Sequence, residues 1–307
     1  MPRISFELTP RPPFRLDLTA RVLQRRTDNA VDRFDAGTYR RTLAIDGTAI
    51  DLAVTQHGTV ERPILLVEAS GSRVDETTRQ AAAGMLDRLL GLSVDLDGFY
   101  ELAATDRQLG PLASRFRGAR PPRFPSVFEV LINAIACQQI TLTLGIRLLN
   151  SVVQRFGRRA HRSTAAAHAF PRPQDLADVA PETLRPFGFS GQKARAIVTL
   201  AQQVASGELD LEALAELDDQ TALTRLLALR GIGRWSAEYA LLRGLGRIHI
   251  FPGDDAGARG SLSRWLGCKK PLDYDGVART VKRWHPYAGF VYFHLLLTGL
   301  AAAGVVE

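Results

Sequence analysis

The sequence of 307 residues contains only two cysteines, Cys137 and Cys268. Two thiols are too few for a disulfide framework, and they cannot supply the four thiolates of an iron-sulfur cluster. The opening stretch MPRISFELTPRPPFRLDL has no apolar segment behind a basic one and does not read as a signal peptide. The one long uncharged apolar run, Phe290 to Val306, falls short of the roughly 20 residues that a membrane-spanning helix needs and includes His294, so it reads as a buried helix. No stretch has the composition of a disordered segment. A cytoplasmic chain that does not enter a membrane is the expectation.

With 46% hydrophobic residues the chain can bury a large core, and its length favours two domains over one. A formal net charge of +7 favours a polyanionic partner without specifying one. Residues 1–92 read as an α+β domain. TYRRTLAIDGTAIDLAVTQHG carries two strand-like runs around Asp46-Gly47, a strong hairpin signal, and ILLVEAS adds another strand. A helix from Val74 to Leu92 keeps its apolar residues on one face and would cover one side of the sheet. This region shows no candidate catalytic group.

The remainder, residues 93–307, reads as helical, and its most informative stretch is LRGIGRWSAEYALLRGLGRIHIFPGDD, Leu229 to Asp255. Before it, Asp219 to Leu229 places apolar residues at helical spacing behind acidic residues suited to a helix start, so one helix runs into Gly231 and a second follows. Gly231 and Gly233 bracket Ile232. Glycines so placed permit positive backbone angles and leave amides bare, which either closes a tight helix-helix turn or holds a phosphate. Trp235 and Tyr239 stand four apart and share one helix face, a spacing that serves a core or a base-stacking wall equally. Twenty residues after Trp235, the run IHIF ends in PGDD and returns Asp254 and Asp255 toward the hairpin. One aspartate of this pair would cap the helix AGARGSLSRWL, a role assigned to Asp254.

Upstream, apolar helices are interrupted at Cys137-Gln138-Gln139, where two glutamines suit helix caps or an exposed corner. PFGFSGQKARA ends in a basic helix start, whose Lys193 and Arg195 either form a solvated face or approach phosphate. Trp284 and Tyr287 lie at a helix end, where aromatics serve the core or a pocket.

The stretch from Gly231 to Ala237, GIGRWSA, resembles the hairpin of the helix-hairpin-helix DNA glycosylases, and in particular the alkylation-repair branch of DNA-3-methyladenine glycosylase II, with Arg230 in place of the usual proline. Members with lyase activity carry a lysine where Trp235 stands. Pro12 to Phe14 and the Tyr39-Arg40-Arg41 strand are similar to that family's N-terminal domain, so the resemblance covers nearly the whole chain. It implies an α+β N-terminal domain over residues 1–92, an antiparallel sheet with helices, followed by an all-α two-lobed helix-hairpin-helix glycosylase domain over 93–307, with lobes at about 123–244 and at 93–122 plus 245–307. It further implies a monofunctional glycosylase of base excision repair that extrudes alkylated bases of the 3-methyladenine and 7-methylguanine type from duplex DNA and hydrolyses their glycosidic bond. Asp255 matches the catalytic position. Trp235, Tyr239 and Tyr287 would line the base pocket, although Ala288 and Gly289 replace polar residues usual at its rim. Gly231, Ile232, Gly233 and Arg234 would hold DNA, and Gln139 would fill the space left by the extruded nucleotide. No cofactor is expected beyond a monovalent cation, Na+ or K+, on the backbone carbonyls of Leu227, Leu229 and Ile232. A monomer located with the nucleoid follows. The alternatives are a glycosylase of the same fold for oxidised or mismatched bases and a noncatalytic DNA-damage binder; the first would want a lysine at Trp235, and the second has no use for Asp255 beside the hairpin.

Overall fold

The computed structural model describes residues 2–160 and 167–306. The chain begins with β1 (Arg3–Leu8), α1 (Leu16–Gln24), β2 (Arg33–Asp35), β3 (Thr38–Ile45), β4 (Thr48–Thr59), β5 (Arg62–Ser70) and α2 (Glu76–Leu90). The strands form one antiparallel sheet in the order β1-β5-β4-β3-β2. The β3–β4 hairpin turns on Asp46 and Gly47, with φ of 47° and 74°, and pairs Ile45 with Thr48. Both turn residues are left-handed, which an Asp-Gly pair tolerates and which matches the twist of the flanking strands. β1 and the three-residue β2 lie outside the strand runs read from the sequence; in β1, Ile4, Phe6 and Leu8 alternate, and Phe6 pairs with Val67.

The helix α2 starts at a capping box of Asp75 and Thr78 and ends at Gly91 in the left-handed conformation. Its Ala82, Leu86 and Leu89 close the sheet's core with Tyr39, Leu52 and Val67. The helix α1 divides its faces: Leu16, Ala20 and Leu23 join this core, while Leu18 and Val22 join a second core built by later helices. The N-terminal unit is thereby packed onto the helical part rather than tethered to it.

Helices α3 (Asp97–Thr105), α4 (Leu109–Arg115), α5 (Val127–Cys137), α6 (Leu142–Phe156), α7 (Pro173–Ala177), α8 (Gly191–Ala205), α9 (Asp219–Leu227), α10 (Arg234–Arg243), α11 (Ala256–Trp265), α12 (Tyr274–Val281) and α13 (Ala288–Ala302) follow, with short 3-10 segments between some of them. Ser126, Thr141, Ser190 and Asp218 start α5, α6, α8 and α9 by accepting an N–H three residues ahead. One helical core gathers Val130, Ile132, Leu149, Ile197 and Leu226, and the other gathers Phe99, Leu112, Leu262, Trp284 and Phe293. The apolar run near the C-terminus forms α13, buried along most of its length as expected, and among the described residues no helix is long and apolar enough to cross a membrane. The helix α10 lies between the two cores, and the cleft they leave opens beside it.

Candidate active site

The turn between α9 and α10 requires glycine at one position only. Gly231 has φ of 79°, and a Cβ there would stand 2.8 Å from that of Ala196. Gly233 is extended, with φ of −97° and ψ of 178°, and a Cβ there would meet nothing within 4 Å. The expectation that both glycines supply positive angles is therefore corrected at Gly233, whose missing side chain serves open space outside the protein. Gly233 caps α10 without a side-chain hydrogen bond, so the first-turn amides of that helix are free of a side-chain acceptor. The side-chain amide of Gln138 donates to the Gly231 carbonyl at 2.8 Å and to Ser236 Oγ at 2.9 Å, which ties the α5–α6 corner to the hairpin. Beside it Gln139 is exposed and left-handed, with φ of 55°. Lys193 Nζ donates to the carbonyls of Ala136 and Gln138, at 3.0 and 2.7 Å. Its ammonium thus neutralises carbonyls at the end of α5, whereas Arg195 is exposed on α8.

Asp255 receives three donors. Its Oδ1 accepts the Ala258 N–H at 2.8 Å, and its Oδ2 accepts the Trp235 indole N–H at 3.2 Å and the Tyr292 hydroxyl at 3.1 Å. The helix cap assigned to Asp254 accordingly belongs to Asp255, because the turn from Pro252 places Asp255 at the start of α11. Asp254 takes no part in that cap and lies 3.9 Å from Arg234 and 4.0 Å from Arg259. Glu238, buried on α10, fixes the PGDD turn: it accepts the Gly253 N–H at 3.0 Å and the Tyr274 hydroxyl at 2.6 Å. Burial pushes the Glu238 carboxyl up, and burial together with that carboxylate pushes Tyr274 up to about 12. Burial, then the charge of Asp255, holds the Tyr292 hydroxyl well above its ordinary value.

A cavity of about 1360 Å³ opens in front of Asp255, bounded by the hairpin, the α5–α6 corner, α11 and α13. Trp235 and Tyr239 line it as a stacked pair, with centroids 5.6 Å apart and planes at 28°. Gly231, Gly233, Arg234 and Gln139 also line it. Ile232 does not, being packed into the first helical core. Tyr287 is likewise absent from the lining. It precedes α13 and packs edge-on against Phe99 at 5.8 Å, with its hydroxyl over Gly98, so the base-pocket assignment of Tyr287 is corrected. Tyr292, within α13, takes the place. The N-terminal unit, in which no candidate group was expected, sends Val22, Arg25 and Arg26 into the lining. Arg243 was also missed, although it continues the four-residue spacing of Trp235 and Tyr239. No local signal marked Arg25, whose place depends on how α1 docks.

Residues 132–286 match the family described as HhH-GPD superfamily base excision DNA repair protein, and residues 5–126 match the AlkA N-terminal domain. The chain is 30% identical over 226 residues to a DNA-3-methyladenine glycosylase of Bacillus subtilis, covering 73% of this chain and 75% of that protein. It is 28% identical over 190 residues to DNA-3-methyladenine glycosylase 2 of Escherichia coli, covering 62% of this chain and 64% of that one. A solved 3-methyladenine DNA-glycosylase from Archaeoglobus fulgidus superposes with a TM-score of 0.84 at 27% identity, over 95% of this chain and 97% of the other.

Proposed function

From a chain that belongs to the HhH-GPD superfamily of base excision DNA repair proteins, we propose the following mechanism. The protein is a DNA glycosylase of base excision repair that hydrolyses the N-glycosidic bond of alkylated bases, of the 3-methyladenine and 7-methylguanine type, in duplex DNA. The observation that carries the reading is Asp255, a carboxylate held by an indole, a phenol and a helix amide at the mouth of an aromatic-walled cavity beside the hairpin.

The chemistry asks little acid catalysis of this site. Alkylation at N3 or N7 gives the purine a positive charge, so the base leaves with the bonding electron pair without further protonation. Positive charge then grows on the sugar, as in other glycoside hydrolyses. Asp255 stabilises that charge and orients water toward the anomeric carbon, and the proton of the water passes to the carboxylate or to solvent. A preorganised charge of this kind contributes a few kcal/mol to the transition state. The stacked Trp235 and Tyr239 offer electron-rich faces to the extruded cationic base.

Among the described residues no lysine lines the cavity, and Trp235 stands at the position where an amine would attack the sugar, which supports hydrolysis without lyase chemistry. The first-turn amides of α10 and the open space at Gly233 suit a DNA phosphate, with Arg234 beside them. Gln139, exposed at the corner, is the side chain proposed to fill the gap in the duplex. A monovalent cation would rest on the carbonyls of Leu227, Leu229 and Ile232. Leu229, whose carbonyl takes the Ile232 N–H at 3.1 Å, keeps a second lone pair for it. Such an ion would add positive charge behind the phosphate. One chain supplies every group of this site, so a monomer suffices, and the substrate places it at the nucleoid.

The test is release of bases from randomly methylated duplex DNA, separated by chromatography. Free 3-methyladenine and 7-methylguanine are expected. Tight binding without release would favour the noncatalytic reading, and release confined to oxidised or mismatched substrates would favour the other glycosylase branch.

A further inference from the structure

Arg243 ends the side-chain row that Trp235 and Tyr239 begin. The three residues are spaced by four along α10, so they follow one side of the helix, with Arg243 about 12 Å along the axis from Trp235 at 1.5 Å per residue. Its Nη1 donates to the Tyr239 hydroxyl at 3.0 Å. Its Nε and Nη2 are buried without a hydrogen-bond partner, and among the described residues no carboxylate pairs with it. The guanidinium instead lies among the rings of Phe124, Tyr239 and Phe293, at 4.8, 5.5 and 5.5 Å from their centroids. The residue is only 1% exposed, yet it lines the cavity. Arg25 reaches the same cavity from the left-handed end of α1, donating Nη2 to Asn133 Oδ1 at 2.6 Å while its own buried Nε has no partner.

Unpaired buried donors on a charged group are costly, and Arg243, unlike the buried Arg41 with its two carboxylate partners, leaves both Nε and Nη2 unpaired. We propose that Arg243, with Arg25 beside it, is a specificity-determining residue that reads the edge of the extruded base farthest from the sugar and favours bases presenting a hydrogen-bond acceptor there. This rests on the glycosylase reading above. A base stacked against Trp235 and Tyr239, with its glycosidic bond at Asp255, directs its far edge along the row toward Arg243. Arginine offers donors only. At C6, 7-methylguanine presents O6, an acceptor, whereas 3-methyladenine presents an amino group that meets the guanidinium donor to donor and leaves ring N1 as the acceptor of that edge. Both bases are cationic, so the Coulombic penalty of the fixed charge applies to each and largely cancels in their ratio. Arg243 therefore shifts selectivity toward guanine-type lesions.

Duplex DNA treated with dimethyl sulfate contains both lesions in one substrate, so the ratio of 7-methylguanine to 3-methyladenine released in a single turnover is an internal measure. Arg243→Met should lower that ratio about tenfold, the range of one hydrogen bond to a charged group, and Arg243→Lys, with donors but no fork, should fall between it and the parent. Arg25→Gln should lower the ratio less. An unchanged ratio in Arg243→Met, or an equal loss of both products, overturns the assignment. If Arg243→Met fails to fold, Arg243→Lys and Arg25→Gln decide, and parent-like ratios in both overturn it. A parent protein that releases neither base overturns the glycosylase reading as well, an outcome distinct from a parent that releases both without regard to Arg243.

Discussion

Arg41 on β3 and Glu129 on α5 meet inside the protein, Nη2 to Oε1 at 2.5 Å, with both side chains removed from solvent. Asp32 takes Nη1 of the same guanidinium at 2.6 Å and the Tyr39 hydroxyl at 2.7 Å. This network joins the sheet to α5, which packs against the hairpin helix α10. Deleting one partner of a buried pair leaves an uncompensated charge, at a cost of about 3–5 kcal/mol. Glu129→Ala should lower the urea midpoint accordingly without changing the slope. A loss below about 1 kcal/mol would mean that the charge finds water and that the junction does not depend on the pair.

His294 gives the fold a sensitivity to acid. It is fully buried on α13, with Nδ1 donating to the Phe290 carbonyl at 3.0 Å and the ring 4.6 Å from that of Phe290. Burial pushes its pKa down to about 4. The unfolded chain takes up a proton near pH 6.5, while the folded protein stays neutral until about pH 4. Its contribution is therefore complete above pH 6.5 and declines by about 1.4 kcal/mol per pH unit below it, to a total of roughly 3 kcal/mol. Urea titrations at several pH values should show that decline in the parent and a flatter profile in His294→Leu. Identical pH slopes in the two proteins would assign acid sensitivity to other groups.

Glu238 acts on the site through the turn that carries Asp255. Without its carboxylate, the Gly253 N–H and the Tyr274 hydroxyl lose their acceptor and the PGDD turn is free to shift. A misplacement of about 1 Å can cost on the order of a hundredfold in rate. Glu238→Ala should lower single-turnover excision ten- to a hundredfold while keeping duplex affinity, and Glu238→Gln, which retains an acceptor, should recover part of it. Excision by Glu238→Ala at the parent rate would remove this positioning role.

What the sequence disclosed is what short-range chemistry controls. Asp46-Gly47 dictates its own turn, and Gly231, an aromatic helix face and a returning carboxylate are set by spacing along one segment, so the return of Asp255 toward the helix of Trp235 is legible in the sequence. The errors have long-range or rotational causes. Tyr287 and Tyr292 are five residues apart, and five residues turn a helix by about 140°, so choosing the wrong aromatic of this segment chose the wrong side. Asp254 and Asp255 were equivalent as caps until the turn fixed their phase. Arg25 was invisible because its neighbour Asn133 is 108 positions away.

The two hairpin glycines should separate stability from affinity. At Gly231 a side chain would be strained by the positive φ and would crowd Ala196, so Gly231→Ala should cost about 1–2 kcal/mol of stability. Gly233 has ordinary angles and open space, so Gly233→Val should leave the thermal midpoint close to the parent's and weaken binding to all DNA sequences, with a smaller salt dependence. Affinity titrations at several salt concentrations measure this. Parent-like binding by Gly233→Val would place the phosphate elsewhere.

Asp255 carries structure and chemistry on separate oxygens, which makes its replacement informative. Oδ1 caps α11 through the Ala258 amide, and asparagine caps helices about as well as aspartate, so Asp255→Asn keeps that acceptor and should fold. Oδ2 faces two donors, Trp235 and Tyr292, and an amide nitrogen in its place would meet them donor to donor while carrying no charge to stabilise the developing cation of the sugar. Excision of alkylated purines should fall about a hundredfold or more, with duplex binding retained. Asp254 lies outside this arrangement, loosely placed near Arg234 and Arg259, and Asp254→Asn should lose far less. Single-turnover release of methylated bases compares the two variants directly, and near-parental release by a folded Asp255→Asn protein would show that the carboxylate is a cap and nothing more.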